Sequence, residues 1–229
     1  WFTENDTHHV GAMDASGVVQ TVLDTGQRPL CIVLGPDGNL WFTLADENAI
    51  GRVQLAAPDA AYVLALDAGF APRVRRARLG ERVQWTFLGP NLHSVTDASG
   101  LGLFDSGPRS FVSTYVLLAQ SAGTFVYHDG AGIAPDAAIT IPVQLPATAS
   151  VGAPFPVTWS RVPAPLGIVF DVQVREPGSV RFRNWTSGAS RSASFTALVP
   201  GVHEFRSRLR DPSTGRATLY AVPATILLQ

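Results

Sequence analysis

The residues able to do chemistry are few and scattered. Cysteine appears once, at Cys31, so no internal disulfide can form. His8 and His9 stand together and read as an exposed loop pair, while His93, His128 and His203 lie far apart along the chain. All 17 basic residues are arginine and none is lysine. That usage fits a GC-rich coding sequence. It also fits anion contacts, since a guanidinium holds carboxylate or sulfate in a planar fork. Arg206, Arg208 and Arg210 alternate, which places them on one face of a strand, with Arg181 and Arg183 nearby. Such a stripe suits an acidic polysaccharide or another polyanion. The plain alternative is a solvated sheet face with Asp and Glu opposite. Asn5-Asp6-Thr7 and Asn184-Trp185-Thr186 fit the glycosylation sequon by spacing alone.

The elements that must position these residues are strands. The chain has 229 residues, 46% of them apolar and only 15% charged, with 21 glycines and 17 prolines. That length allows one large domain or two to three small ones, and the glycines and prolines suit many short strands joined by turns. Long amphipathic helical runs are absent. The formal charge of −1 gives no global pull toward nucleic acid or an anionic membrane. No apolar run reaches the 18 residues of a membrane-spanning helix. No export segment is visible at the start, which opens on Trp1-Phe2-Thr3 in mid-repeat.

That repeat pairs Trp1-Phe2-Thr3 with Trp41-Phe42-Thr43, an offset of 40 residues (1 to 41) that also matches Asp6 with Asp46, Val10 with Ile50 and Gly11 with Gly51. A period of this size with short strands is the signature of a four-stranded propeller blade. The string Gly35-Pro36-Asp37-Gly38-Asn39-Leu40-Trp41-Phe42-Thr43, followed by Ile50-Gly51-Arg52-Val53, resembles the blade repeat of the virginiamycin B lyase family. Hairpin turns are expected near residues 14–17 and 35–39. About one and a half blades fall within residues 1–59. A ring needs more, so the resemblance implies further repeats upstream or packing on a neighbour. Enzymes of that family perform a metal-assisted elimination with a catalytic histidine, to whose position neither His8 nor His9 matches.

Residues 60–143 carry a second set of motifs. They are Phe70-Ala71-Pro72, Gly80-Glu81-Arg82-Val83-Gln84-Trp85, His93-Ser94-Val95-Thr96, Phe104-Asp105-Ser106-Gly107 and Gly123-Thr124-Phe125-Val126-Tyr127. Strands are predicted over 73–79 and 91–96 among others. In this order the motifs resemble the cupredoxin (plastocyanin) family. The resemblance implies a type 1 copper site of two imidazoles, one thiolate and a weak axial ligand. His93 matches the first histidine. Asp129 stands where the thiolate belongs, Gly132 where the second histidine belongs, and Ala134-Pro135-Asp136 occupy the axial region. One ligand in four survives, so no metal and no cofactor is expected, and His93 is expected to hydrogen-bond the loop 129–136. The alternative is a colourless site in which His93 and Asp129 act as N/O ligands for zinc or oxidised copper. His128 is expected to point to the face opposite Asp129.

Residues 144–229 follow a proline-rich stretch. Pro154-Phe155-Pro156-Val157-Thr158-Trp159 reads as an early strand with its core tryptophan, and residues 168–175 alternate at period 2. Leu198-Val199-Pro200-Gly201 followed by Phe205-Arg206-Ser207-Arg208 resembles the fibronectin type III family, with His203 where a corner tyrosine is common.

The sequence therefore predicts an all-β chain. A partial propeller-type repeat (1–59) precedes two β-sandwich domains, a cupredoxin-like Greek key (60–143) and a fibronectin III-like or Ig-like sandwich (144–229). No residue is assigned a catalytic role. The expected function is a non-catalytic, secreted or cell-surface structural and interaction module. Its expected partners are other protein chains, or copies of itself joined by strand pairing, with an acidic polysaccharide as a further candidate. Neither nucleic-acid binding nor membrane insertion is expected. The alternatives are the accessory C-terminal part of a lyase-like propeller enzyme, or a metal-binding cupredoxin relative.

Overall fold

The computed structural model describes residues 1–35, 37–55, 60–89, 91–130, 132 and 136–229. No helix occurs among them, and none could cross a membrane.

The chain begins with two small antiparallel sheets. β1 (Phe2–Glu4), β2 (His9–Met13) and β3 (Val19–Asp24) form the first, and β4 (Pro29–Leu34), β5 (Leu40–Leu44) and β6 (Ala49–Val53) the second, each in sequence order. The repeat has a steric basis. Phe2 pairs with Gly11 and Phe42 with Gly51 across their ladders. In both copies each ring lies over its glycine, where a Cβ would strike it. His8 (φ 61°) and Asn48 (φ 48°) end the equivalent turns in the left-handed region. Asp14 closes the first expected hairpin by accepting from the Ser16 and Val18 amides. Asp37 accepts from the Asn39 amide and the Trp41 indole in the second, where Pro36 lies outside the described residues. Each copy is a three-stranded meander, whereas a propeller blade has four strands.

Eight strands follow: β7 (Ala60–Leu66), β8 (Gly69–Ala71), β9 (Val74–Arg76), β10 (Arg82–Phe87), β11 (Thr96–Asp97), β12 (Thr114–Leu118), β13 (Gly123–His128) and β14 (Ala137–Ile141). They form two sheets, β12-β10-β7-β8 and β11-β13-β14-β9, with β7/β10 and β9/β14 parallel. Between the sheets lie Val63, Trp85, Phe87, Tyr127 and Ile139, each at most 1% exposed. Two predicted strands are shorter than expected. Of residues 73–79 only β9 forms, because after Ala77 bonds Thr140 the chain turns: Arg78 N donates to Glu81 Oε2, and Gly80 adopts φ +90°. Of residues 91–96 only Thr96 joins a strand. The Ser94 amide goes to the Asp129 carboxylate and the Val95 amide to Ser106 Oγ, so side chains take the donors a ladder would use.

The last six strands are β15 (Pro154–Thr158), β16 (Val169–Arg175), β17 (Arg183–Gly188), β18 (Ser192–Thr196), β19 (Gly201–Arg210) and β20 (Ala224–Leu228). β15-β18 faces the four-stranded sheet β17-β16-β19-β20. The core between them is aromatic. Phe155, Phe195, Phe205 and Trp185 meet edge to face, and Trp185 meets Trp159 in the same way. Trp159 Nε1 donates to Ser190 O at 2.6 Å. One buried apolar cluster runs from residue 61 to residue 228 and takes in both sheet pairs. Backbone bridges Ser121↔Ser160, Thr124↔Leu219 and Gln144↔Thr158 tie them together.

Candidate functional site

His93 is the residue on which the metal expectation turned. The β7–β8 turn, the bridge His93↔Arg109 and the end of β13 bring three groups together. Its Nδ1 lies 2.7 Å from Asp129 Oδ2, with both side chains at most 1% exposed, and its Nε2 lies 2.8 Å from Asp67 Oδ1. Asp129 Oδ1 accepts the Ser94 amide, and Asp67 Oδ2 accepts from Asn91 Nδ2. Gly89 lets the imidazole in, because a Cβ there would strike Nε2. Each N–O contact needs a proton, so the ring carries both or one carboxyl carries one. While these contacts stand, neither ring nitrogen has a lone pair free for a metal. Among the described residues no group of three or more His, Cys, Asp and Glu is arranged to hold a metal ion.

The other matched positions are dispersed. Gly132 N donates to Asp129 O, and Ala134 and Pro135 lie outside the described residues. His128 is half-buried beside the fully buried Tyr127 and pairs in register with Thr96. Cys31 is exposed on β4. His9 lies 3.5 Å from Glu4, and the carbonyl of His8 accepts from Thr25. His203 is fully buried, with Nδ1 3.3 Å from Gly201 O and Nε2 lacking a partner among the described residues.

Arg206, Arg208 and Arg210 do share the outer face of β19. Arg208 and Arg210 converge on Asp171 of β16, at 3.1 and 2.7 Å from Oδ2. Burial pushes the Asp171 carboxyl up, but hydrogen bonds from Arg210, Ser187 and Arg208 outweigh it and hold the group at about 2, against an ordinary 3.8. Arg206 donates from Nε and Nη2 to Gln173 Oε1 and lies between the Phe182 and Tyr220 rings, at 3.9 and 4.5 Å. Arg175 pairs with Glu204, and Arg183 with Glu176. The stripe is thus a laced surface of ion pairs and stacked guanidinium groups.

No family model matches the sequence, and no curated protein sequence does. Solved structures match parts of it. The purple cupredoxin from Nitrosopumilus maritimus is 17% identical, covering 35% of this chain and 98% of its own at a TM-score of 0.33. A mutant amicyanin is 18% identical, covering 38% of this chain and 85% of its own at 0.35. The FN1-FN3 domains of chicken CNTN1 are 10% identical, covering 85% of this chain and 78% of their own at 0.31. The fold is all-β. Its two sandwiches follow directly from the sheet pairing.

Sequence reasoning missed the residues that complete these clusters. Asp67 sits in the β7–β8 turn, 26 residues before His93, and nothing local links them. Asp171 and Gln173 were legible, since they alternate on the β16 face that the pairing sets beside β19. Phe182 and Tyr220 flank Arg206 from outside any strand.

Proposed function

We propose that the chain is a non-catalytic, secreted or cell-surface interaction module whose units are residues 1–59, 60–143 and 144–229. The observation that carries this reading is the closure of His93. Both ring nitrogens are directed at carboxylates, so the position best placed for metal chemistry is committed to holding two loops together. What is left for function is surface. The N-terminal sheets leave Met13, Val19, Leu30, Val33 and Ile50 between 47 and 69% exposed, a concentration that suits a protein partner. The outer strands β3 and β6 offer edges for pairing with another chain or another copy. The test is light scattering across a concentration series with Val33→Glu and Ile50→Arg. The wild type should associate, alone or with a partner, and the double variant should not. A wild type that stays monomeric and binds no protein through these sheets would overturn the reading.

A metal-binding relative of the cupredoxins is the second reading. Its support is that one imidazole already meets two carboxylates, one at each ring nitrogen. Metal analysis of the purified protein, with His93→Gln as control, separates it from the first. An acidic polysaccharide at the Arg206–Arg208–Arg210 stripe has less support, since Asp171 and Gln173 already hold those guanidinium groups.

A further inference from the structure

A second group of arginines, lacking acidic partners among the described residues, lies where the two sandwiches meet. Through the short β9 and just past it the chain reads Arg75-Arg76-Ala77-Arg78. These three side chains line an open cleft of about 1050 Å³ together with Arg161, which arrives from beyond β15. Glu81 is the single carboxylate among the described residues of the lining, which together carry a formal charge of +3 within a chain of −1. None of the four arginines makes a salt bridge among the described residues, unlike Arg208 and Arg210 of the β19 face. Two of them are held in place. The Arg75 guanidinium stacks on the Tyr62 ring at 5.0 Å, and its Nε is buried with no hydrogen-bond partner among the described residues. Arg161 packs its guanidinium against Gly80, where φ +90° and the missing Cβ leave room. A buried donor left unpaired is costly to the free protein.

The geometry points to a binding site for a linear acidic polysaccharide, one bearing carboxylate or sulfate groups along a hydroxylated chain. The cleft is too large for a single small anion, and its four cations are spread over both sandwiches, so successive charges of a polymer fit it. Arginine forks match carboxylate and sulfate in two-point contact. Gln144 lines the same cleft with an exposed side-chain amide suited to a hydroxyl. Nucleic acid fits less well, because among the described residues no aromatic side chain lines the cleft to stack on a base. An acidic peptide fits less well too. The adjacent sheet edge, β9, is three residues long and offers little ladder for an added strand. The inference is independent of the protein-docking surface proposed above.

The test is calorimetry of the full chain with hexasaccharides of polygalacturonate and of heparin, beside a neutral dextran hexasaccharide, oligothymidylate and polyglutamate. At least one acidic saccharide should bind, the neutral one should not, and affinity should fall as salt is raised above about 0.15 M. Arg76 and Arg78 are exposed, so Arg76→Ser/Arg78→Ser should fold normally and lose roughly tenfold or more in affinity. Arg161→Ser should weaken binding from the other wall, Arg76→Lys/Arg78→Lys should recover only part of it, and Arg206→Ser should change nothing. The inference is overturned if neither acidic saccharide binds, if the double serine variant binds like the wild type, or if oligothymidylate or polyglutamate binds more tightly.

Discussion

At the scale of single residues, the decisive contrast is between charges that are satisfied and charges that are not. Asp129 is a fully buried carboxylate held by His93 and the Ser94 amide. Asp129→Ala would leave the ring nitrogen and the amide unpaired in the interior. A loss of about 3–5 kcal/mol in denaturant unfolding is expected, the range for breaking a buried pair from one side. The same residue bears on metal chemistry, because it stands where the cupredoxin resemblance requires a thiolate. Protein titrated with copper(II) should therefore show no intense thiolate-to-copper band in visible absorbance, and the appearance of one would contradict this account of the site. Asp171 gives a pH prediction. Its folded-state value of about 2 lies below its ordinary 3.8, so its contribution to stability is complete above 3.8 and is lost as pH falls toward 2. Melting temperatures measured down that interval should drop for the wild type, and less steeply for Asp171→Asn.

At the scale of elements, the recurrence of Phe and Gly at the same spacing was readable from the sequence, and the structure supplies its cause. Phe42 is 4% exposed and lies across Gly51 on the neighbouring strand. Gly51→Ala should cost about 1–3 kcal/mol through overpacking. In a Phe42→Ala background the same change should cost little, so a double-mutant cycle will show strong coupling. Absence of coupling would mean that the glycine is needed for some other reason. The strand carrying Trp85 and the one running up to Trp159 were legible as well, because alternation and turn chemistry are local. The shortening of the strands around residues 73–79 and 91–96 was not. Asp129 and Ser106 capture amides from far along the chain, and that competition depends on tertiary approach. For the same reason the stripe at Arg206–Arg210 drew attention in the sequence. Arg75, Arg76 and Arg78 form a cleft only once Arg161 is brought across from the next sandwich.

At the scale of the whole molecule, the two sandwiches and the N-terminal sheets differ in how they are held. The apolar cluster spanning residues 61–228 is continuous, while the buried Val10, Ala12, Leu40 and Phe42 lie outside it. The N-terminal sheets touch the middle sandwich through a thin seam. Trp1 meets Phe111 at 6.1 Å, Gln84 Nε2 donates to Leu55 O at 2.8 Å, and Gly38 backs onto the Tyr62 ring. In stacked repeats stability is a sum over nearest neighbours, and two three-stranded sheets with few neighbours should open before the rest. Amide exchange at low protein concentration should therefore release β2 and β5 through local opening, while β10, β13 and β16 exchange only with global unfolding. If the exposed β3 and β6 edges are filled by another copy, protection of β2 and β5 should rise with concentration, in step with the mass from light scattering. Weakening the seam with Phe111→Ala should speed exchange in β1 and β2 and leave β16 unchanged, because Phe111 touches the first sheet and not the last sandwich. A monomer in which residues 1–55 are as protected as β16 at every concentration would show that the small sheets are self-sufficient, and the dependence on neighbours argued here would be wrong.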